Sequence, residues 1–136
     1  MRILNFENST HSSADAAKVL NCDLSQIIKT LIFHDKDYYF IVILPGYAKL
    51  NYSKIKKLLN ISRPSLATPK MVLEISGCPI GGVKPIFRTN LKVVMEESIT
   101  KFDLVYGGGG DAFSIMEISP KEIIGEMNPV IWNVIE

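Results

Sequence analysis

The densest apolar stretch of the chain runs from residue 26 to residue 44 and is broken by the polar triplet Asp35-Lys36-Asp37. Rich in Ile, Val, Phe and Tyr, it predicts a β-hairpin with strands over 26–34 and 38–44, closed by Pro45-Gly46. The two-residue period of a strand puts Ile27, Lys29, Leu31 and Phe33 on one face and Ile28, Thr30, Ile32 and His34 on the other. Lys29 therefore falls among bulky apolar neighbours, on the face expected to meet the core.

The remaining pattern divides into short elements. Residues 1–6 predict a first strand. Ser12-Ser13-Ala14-Asp15 opens a helix that runs through Leu20, ends at Asn21 and packs through Ala16, Ala17 and Leu20. Asn51 caps a helix to about residue 59, with Ile55, Leu58 and Leu59 inward. Residues 64–67 read as extended. Thr68-Pro69 starts a helix carrying Met71, Val72 and Ile75 that stops at Gly77. A strand over 91–96 precedes a helical or irregular piece over 97–102. Residues 104–106 and 112–118 predict two strands around a glycine turn, Ser119-Pro120 starts a helix to residue 127, and a last strand covers 130–134. Strands outnumber helices and mostly follow one another closely. The expected fold class is α+β, with a mainly antiparallel, partly closed, barrel-like sheet flanked by helices.

Length and composition fit a single domain over residues 1–136: 47% hydrophobic and 21% charged residues are ordinary for a folded globular chain. No apolar run approaches the roughly 20 residues of a membrane span, and the first residues lack the make-up of a signal peptide. A cytoplasmic protein without membrane partners is expected. Cys22 and Cys78 make neither a disulfide framework nor a zinc motif, and His11 and His34 have no second ligand at metal spacing. No metal or cofactor is expected, and each histidine reads as a surface or pocket-lining residue. Charge is uneven along the chain. Residues 49–70 hold six basic side chains and no acid, whereas eight acids and two lysines follow from Glu96 onward. The basic stretch, with Lys54, Lys56 and Lys57 at its centre, is suited to a phosphate backbone; a solvated helix face is the plainer alternative.

Seven of the nine glycines lie at Gly77, Gly81 and Gly82 or in the run Gly107 to Gly110. Neither group follows a phosphate-loop or dinucleotide pattern. Tight turns between strands would explain both. The misplaced Lys29 favours a functional reading: a buried ammonium is costly unless an anion or a set of acceptors meets it. The plainer alternatives are a lysine that snorkels to the rim or one paired with a buried acid. No acid lies nearby on that face, and a pocket for an anionic or carbonyl-bearing substrate explains the placement better.

With these residues laid out, the chain resembles the YbaK/prolyl-tRNA-synthetase-associated editing-domain family over nearly its whole length. The resemblance rests on the Ser13-Ala14-Asp15-Ala16-Ala17 helix, Lys29-Thr30-Leu31, Gly77 with Gly81-Gly82-Val83-Lys84-Pro85, and Val105-Tyr106 before Gly107-Gly108-Gly109-Gly110. It implies hydrolysis of the ester of wrongly charged tRNA, a small amino acid such as Ala, Cys or Ser on tRNA for proline. Lys29 would contact the charged 3′ end, with Thr30 beside it. Gly81, Gly82, Val83 and Pro85 would line the aminoacyl pocket, joined by Gly107, Gly108, Gly109 and Gly110. Where some members carry a histidine near the end of that run, this chain has Asp111, which the resemblance places with the substrate-binding residues without a histidine's role.

The residues themselves are compatible with such chemistry. There is no nucleophile-elbow order of Ser, His and Asp, and Cys78 reads as a packed loop thiol. Positioning by Lys29, backbone N–H groups of the glycine loops and attack by water remain. The expected partners are mischarged tRNA and a prolyl-tRNA synthetase, with no DNA. Two other classes stay open: a tRNA- or protein-binding module of the same fold without hydrolysis, and a small-molecule hydrolase.

Overall fold

The structure is a computed structural model that describes residues 1–7 and 12–136; His11 lies outside the described residues. Eight strands and four α-helices are present among them: β1 (Arg2–Asn5), α1 (Ser13–Leu20), β2 (Ile28–Asp35), β3 (Tyr38–Pro45), α2 (Tyr52–Leu59), β4 (Ser65–Leu66), α3 (Pro69–Ser76), β5 (Lys92–Glu96), β6 (Val105–Gly108), β7 (Ser114–Ile118), α4 (Pro120–Met127) and β8 (Val130–Trp132). Short 3₁₀ turns occupy Leu24–Gln26 and Glu97–Lys101.

Each helix begins on a side-chain cap. Ser12, Asn51, Thr68 and Ser119 each accept the N–H three residues on, satisfying a donor the helix itself leaves open. Pro69 and Pro120 occupy the first turns of α3 and α4. Asn21, Asn60, Gly77 and Asn128 end the helices in the left-handed region.

The strands form two sheets, ordered β4-β2-β3-β5-β8 and β1-β7-β6. The smaller is antiparallel throughout. The larger is mixed, because β3 pairs with β5 and β5 with β8 in parallel. A mainly antiparallel arrangement was the expectation, and four of the six strand pairings among the described residues are antiparallel; the two parallel pairs and the division into two sheets are what it did not include. The segments 46–91 and 97–129 carry the chain back across the sheet through α2, α3 and α4, and such crossovers deliver parallel neighbours. Among the described residues no closed barrel forms either: one isolated bridge, Ile27 to Tyr106, joins the sheets.

The hairpin β2–β3 is buried on both faces. Ile28, Ile32, Ile41 and Ile43 pack with Met95, Val105, Met116 and Ile123. Phe33, Phe40, Val42 and Leu44 pack with Leu50, Ile55, Val94 and Val134 beneath α2. A smaller cluster of Ala16, Ile27 and Ile115, with Ala17, Leu20 and Tyr106 against it, seats α1 over the place where the sheets meet.

Candidate active site

Between Ile28 and Leu31 the outer edge of β2 pairs with no strand, since β4 reaches only Phe33 and His34 and β6 bridges only at Ile27. A cleft of about 380 Å³ opens there. Its floor is residues 27–31, one wall is Tyr106, Gly107 and Gly108 of β6 with Ser114 and Ile115 of β7, and the other is Ser12, Ser13 and Ala16 of α1. Ile80, Gly81 and Val83 cover the remaining side. An edge strand explains why Lys29 and Thr30 both line the cleft although their side chains leave opposite faces of the sheet.

Lys29 lies across from Leu44 in the hairpin register. Its Nζ donates to the Ala48 carbonyl at 2.8 Å, in the loop between β3 and α2. Burial holds its pKa below the ordinary lysine value, the desolvation opposing the charged form. The acceptor is thus a single backbone carbonyl rather than a carboxylate. Thr30 is 7% exposed, and its Oγ1 is buried without a hydrogen-bond partner. A buried hydroxyl left unpaired is costly in a folded protein, and this one sits in the cleft wall.

The two glycine-rich loops are built chiefly against each other. Gly110 donates its N–H to the Gly82 carbonyl at 2.8 Å, and Gly109 donates to the Ser114 carbonyl at 3.1 Å. A side chain at Gly108 would run into the Val83 carbonyl, and a Cβ at Gly82 would sit 3.0 Å from the Asp111 nitrogen. Gly107 has Pro85 and Ile28 at 3.2 Å from where its Cβ would be. Asp111 accepts the Phe113 N–H at 2.8 Å and shapes the turn.

Of the expected site residues, the structure therefore brings Lys29, Thr30, Gly81, Val83, Gly107 and Gly108 together in the cleft. Gly82, Pro85, Gly109, Gly110 and Asp111 stand behind it as the frame that holds the two loops together. The expectation had missed Ser12, Ser13, Ala16, Ile27, Ile28, Leu31, Ile80, Tyr106, Ser114 and Ile115. Ile27, Ile28 and Leu31 flank Lys29 and Thr30, Ile80 precedes Gly81 and Tyr106 precedes Gly107, so adjacency was the signal for these, whereas α1, Ser114 and Ile115 meet the cleft through packing and pairing between distant segments. Tyr106 stands beside Glu117 in the small sheet. Burial and then the Glu117 carboxylate raise its phenol pKa, while Glu117 itself holds Arg2 at 3.1 Å.

Lys54, Lys56 and Lys57 lie on α2. Lys54 is committed to the chain's last residues, donating to Asn133 Oδ1 at 2.8 Å and to the Ile135 carbonyl at 3.1 Å. Lys56 and Lys57 are exposed. Cys78 is buried at 5% exposure and does not line the cleft. His34 packs flat against Tyr39 at the far end of the hairpin. Among the described residues no three His, Cys, Asp or Glu side chains are grouped to hold a metal ion. No helix of the described residues is long and apolar enough to cross a membrane.

Comparison with known proteins agrees with this fold. The family described as aminoacyl-tRNA editing domain matches residues 7–125. The chain is 35% identical to proline–tRNA ligase of Thermosipho melanesiensis over 95 residues, 69% of this chain and 17% of the ligase. It thus spans a small part of the ligases it matches. The uncharacterized protein YwhH of Bacillus subtilis is 29% identical over 132 residues, 96% of this chain and 83% of that protein. Among solved structures, a hypothetical protein superposes with a TM-score of 0.89 at 34% identity, covering 99% of this chain and 91% of the other. A candidate trans-editing enzyme for prolyl tRNA synthetase superposes with a TM-score of 0.91 at 25% identity, covering 99% and 86%.

Proposed function

The chain belongs to the aminoacyl-tRNA editing domain family, and on that premise we propose that residues 1–136 act as one trans-editing domain, hydrolysing the ester of a small amino acid mischarged on tRNA for proline. The observation that carries the reading is Lys29 at the floor of the cleft, a cation with one backbone carbonyl for a partner. The choice of tRNA is supported by the resemblance to proline–tRNA ligases and to the candidate trans-editing enzyme.

The cleft lining among the described residues contains no His, Asp, Glu or Cys. Its polar side chains are Ser12, Ser13, Lys29, Thr30, Tyr106 and Ser114. In the proposed reaction water attacks the ester carbonyl, and the Lys29 ammonium stabilises the oxyanion that develops. The water proton passes to the leaving ribose oxygen, with the neighbouring ribose hydroxyl as relay, so no protein base is required. The glycines of the wall leave room for a small side chain beside the ester, and a subsite of that size excludes larger side chains better than it rejects smaller ones. Alanine is the first substrate expected, then cysteine and serine.

Release of free amino acid from a panel of charged tRNAs tests the reading. Hydrolysis of alanyl-, cysteinyl- or seryl-tRNA for proline, with prolyl-tRNA spared, is the expected result. Binding of these tRNAs without release of any amino acid would sink it and leave an inactive binding module.

A further inference from the structure

The loop that receives the Lys29 ammonium also carries two outward side chains. From 47 to 50 burial alternates: Tyr47 is 55% exposed, Ala48 and Leu50 are each 6% exposed, and Lys49 is exposed. Tyr47 sits in a turn that the Ala48 N–H closes on the Pro45 carbonyl at 3.0 Å, and its side chain and that of Lys49 both project into solvent. This stretch is fixed at both ends. Gly46 donates to the Ile27 carbonyl at 2.7 Å and Ala48 accepts from Lys29 at 2.8 Å. Beyond it, Leu50 bridges to Ile135, Glu136 donates to the Lys49 carbonyl at 3.0 Å and Asn51 donates to the Val134 carbonyl at 2.7 Å. Gly46 also abuts Ser13, a residue of the cleft wall. Among the described residues the Tyr47 ring stacks on no other ring and the Lys49 ammonium pairs with no carboxylate.

An exposed aromatic and an unpaired cation, held two residues apart on a rigid support at the edge of a cleft, match the needs of single-stranded nucleic acid. A base stacks on the ring and a phosphate meets the cation. We propose that Tyr47 is the stacking platform for a base of the single-stranded 3′ end of RNA, with Lys49 on the adjoining phosphate. This rests on the reading above in that the strand is taken to be the charged end of tRNA, whose ester would then lie at Lys29. Because the loop is pinned before the ligand arrives, little ordering remains to be done on binding.

The test is a double-mutant cycle with a short RNA ending in C-C-A, using the wild-type chain and Tyr47→Ala against the intact RNA and the same RNA with its last two bases removed. Direct stacking predicts that Tyr47→Ala weakens binding of the intact RNA by about 5- to 150-fold. It also predicts that the same substitution changes binding of the base-depleted RNA little, while Tyr47→Phe binds as wild type does. Equal losses on both RNAs, no loss on either, or no binding of the RNA by the wild-type chain would each overturn it. Deacylation measured in parallel keeps the two ideas apart. An interaction between Tyr47 and the bases without hydrolysis would leave the platform standing and defeat the proposed reaction.

Discussion

Gly110 donates its backbone N–H to the carbonyl of Gly82 at 2.8 Å, joining two loops that are far apart in the sequence. The bond is possible because neither loop carries side chains where the backbones meet, so the value of these glycines lies in close approach.

Gly108→Ala is accordingly expected to destabilise the fold by about 2 kcal/mol or more, since the new methyl group meets the backbone of Val83 rather than a flexible side chain. Gly125→Ala is the counterpart. Gly125 lies within α4, and a Cβ there meets nothing, so stability should rise by about 0.5–1 kcal/mol. Urea unfolding of both variants gives the comparison, and the same sign for the two would contradict it.

Thr30→Val keeps the shape of the side chain and removes a buried hydroxyl that lacks a partner. Stability should be unchanged or higher by up to about 1 kcal/mol, with deacylation retained. Thermal unfolding and turnover measured on the same preparation decide this. A clear loss of stability would mean that the hydroxyl is already satisfied in the free protein.

Lys29→Ala should lower deacylation by ~10²-fold or more, as removal of one preorganised electrostatic partner does. Lys29→Met tests the charge through stability. Burial depresses the folded-state pKa of Lys29 below its unfolded value, so the unfolded chain binds the proton more readily and stability rises with pH. The cost of the buried ammonium is present below the folded pKa and is relieved as pH climbs through that pKa toward 10.5, the unfolded reference. Relative to Lys29→Met, the wild-type chain should gain stability between neutral pH and about that reference value. A flat difference in urea midpoints across this window would show that the ammonium costs nothing.

Reversing Lys56 and Lys57 to Glu should weaken tRNA binding and reduce its logarithmic salt slope by about 0.7–0.9 for each phosphate that is no longer neutralised. Lys54→Ala should act differently. Its ammonium holds Asn133 and Ile135, so loss of stability is the expected effect. Unchanged binding and slope in the double reversal would reduce the pair to a solvated helix face.

What was legible in the sequence was local. The caps at Ser12, Asn51, Thr68 and Ser119 fixed all four helix starts, and Gly77 fixed a stop. The two-residue period assigned Lys29 and Thr30 to the correct faces of β2. What it could not supply was the covering of each face, because β2–β3 is apolar on both, and the 28–31 edge is left open by the shortness of β4. The parallel neighbours of β3 and β5 depend on crossovers of dozens of residues, which no local pattern records. For the same reason the glycine run resembled a ligand cradle when much of it serves loop-to-loop packing.

The pairing of β1 with β7 sets Arg2 opposite Glu117, and with it a schedule. The cleft floor on β2 is synthesised early, while its far wall comes from Tyr106 to Ile115. A nascent chain can close the β2–β3 hairpin as soon as Pro45 has emerged, but a strand that waits for a partner more than a hundred residues downstream carries a large loop-closure cost and pairs late. Lys29 is therefore present long before there is a site around it. Chains halted before β7, trapped on ribosomes and probed by limited proteolysis, should protect the hairpin while leaving the first residues open to cleavage; protection of residues 2–5 at that stage would refute the order.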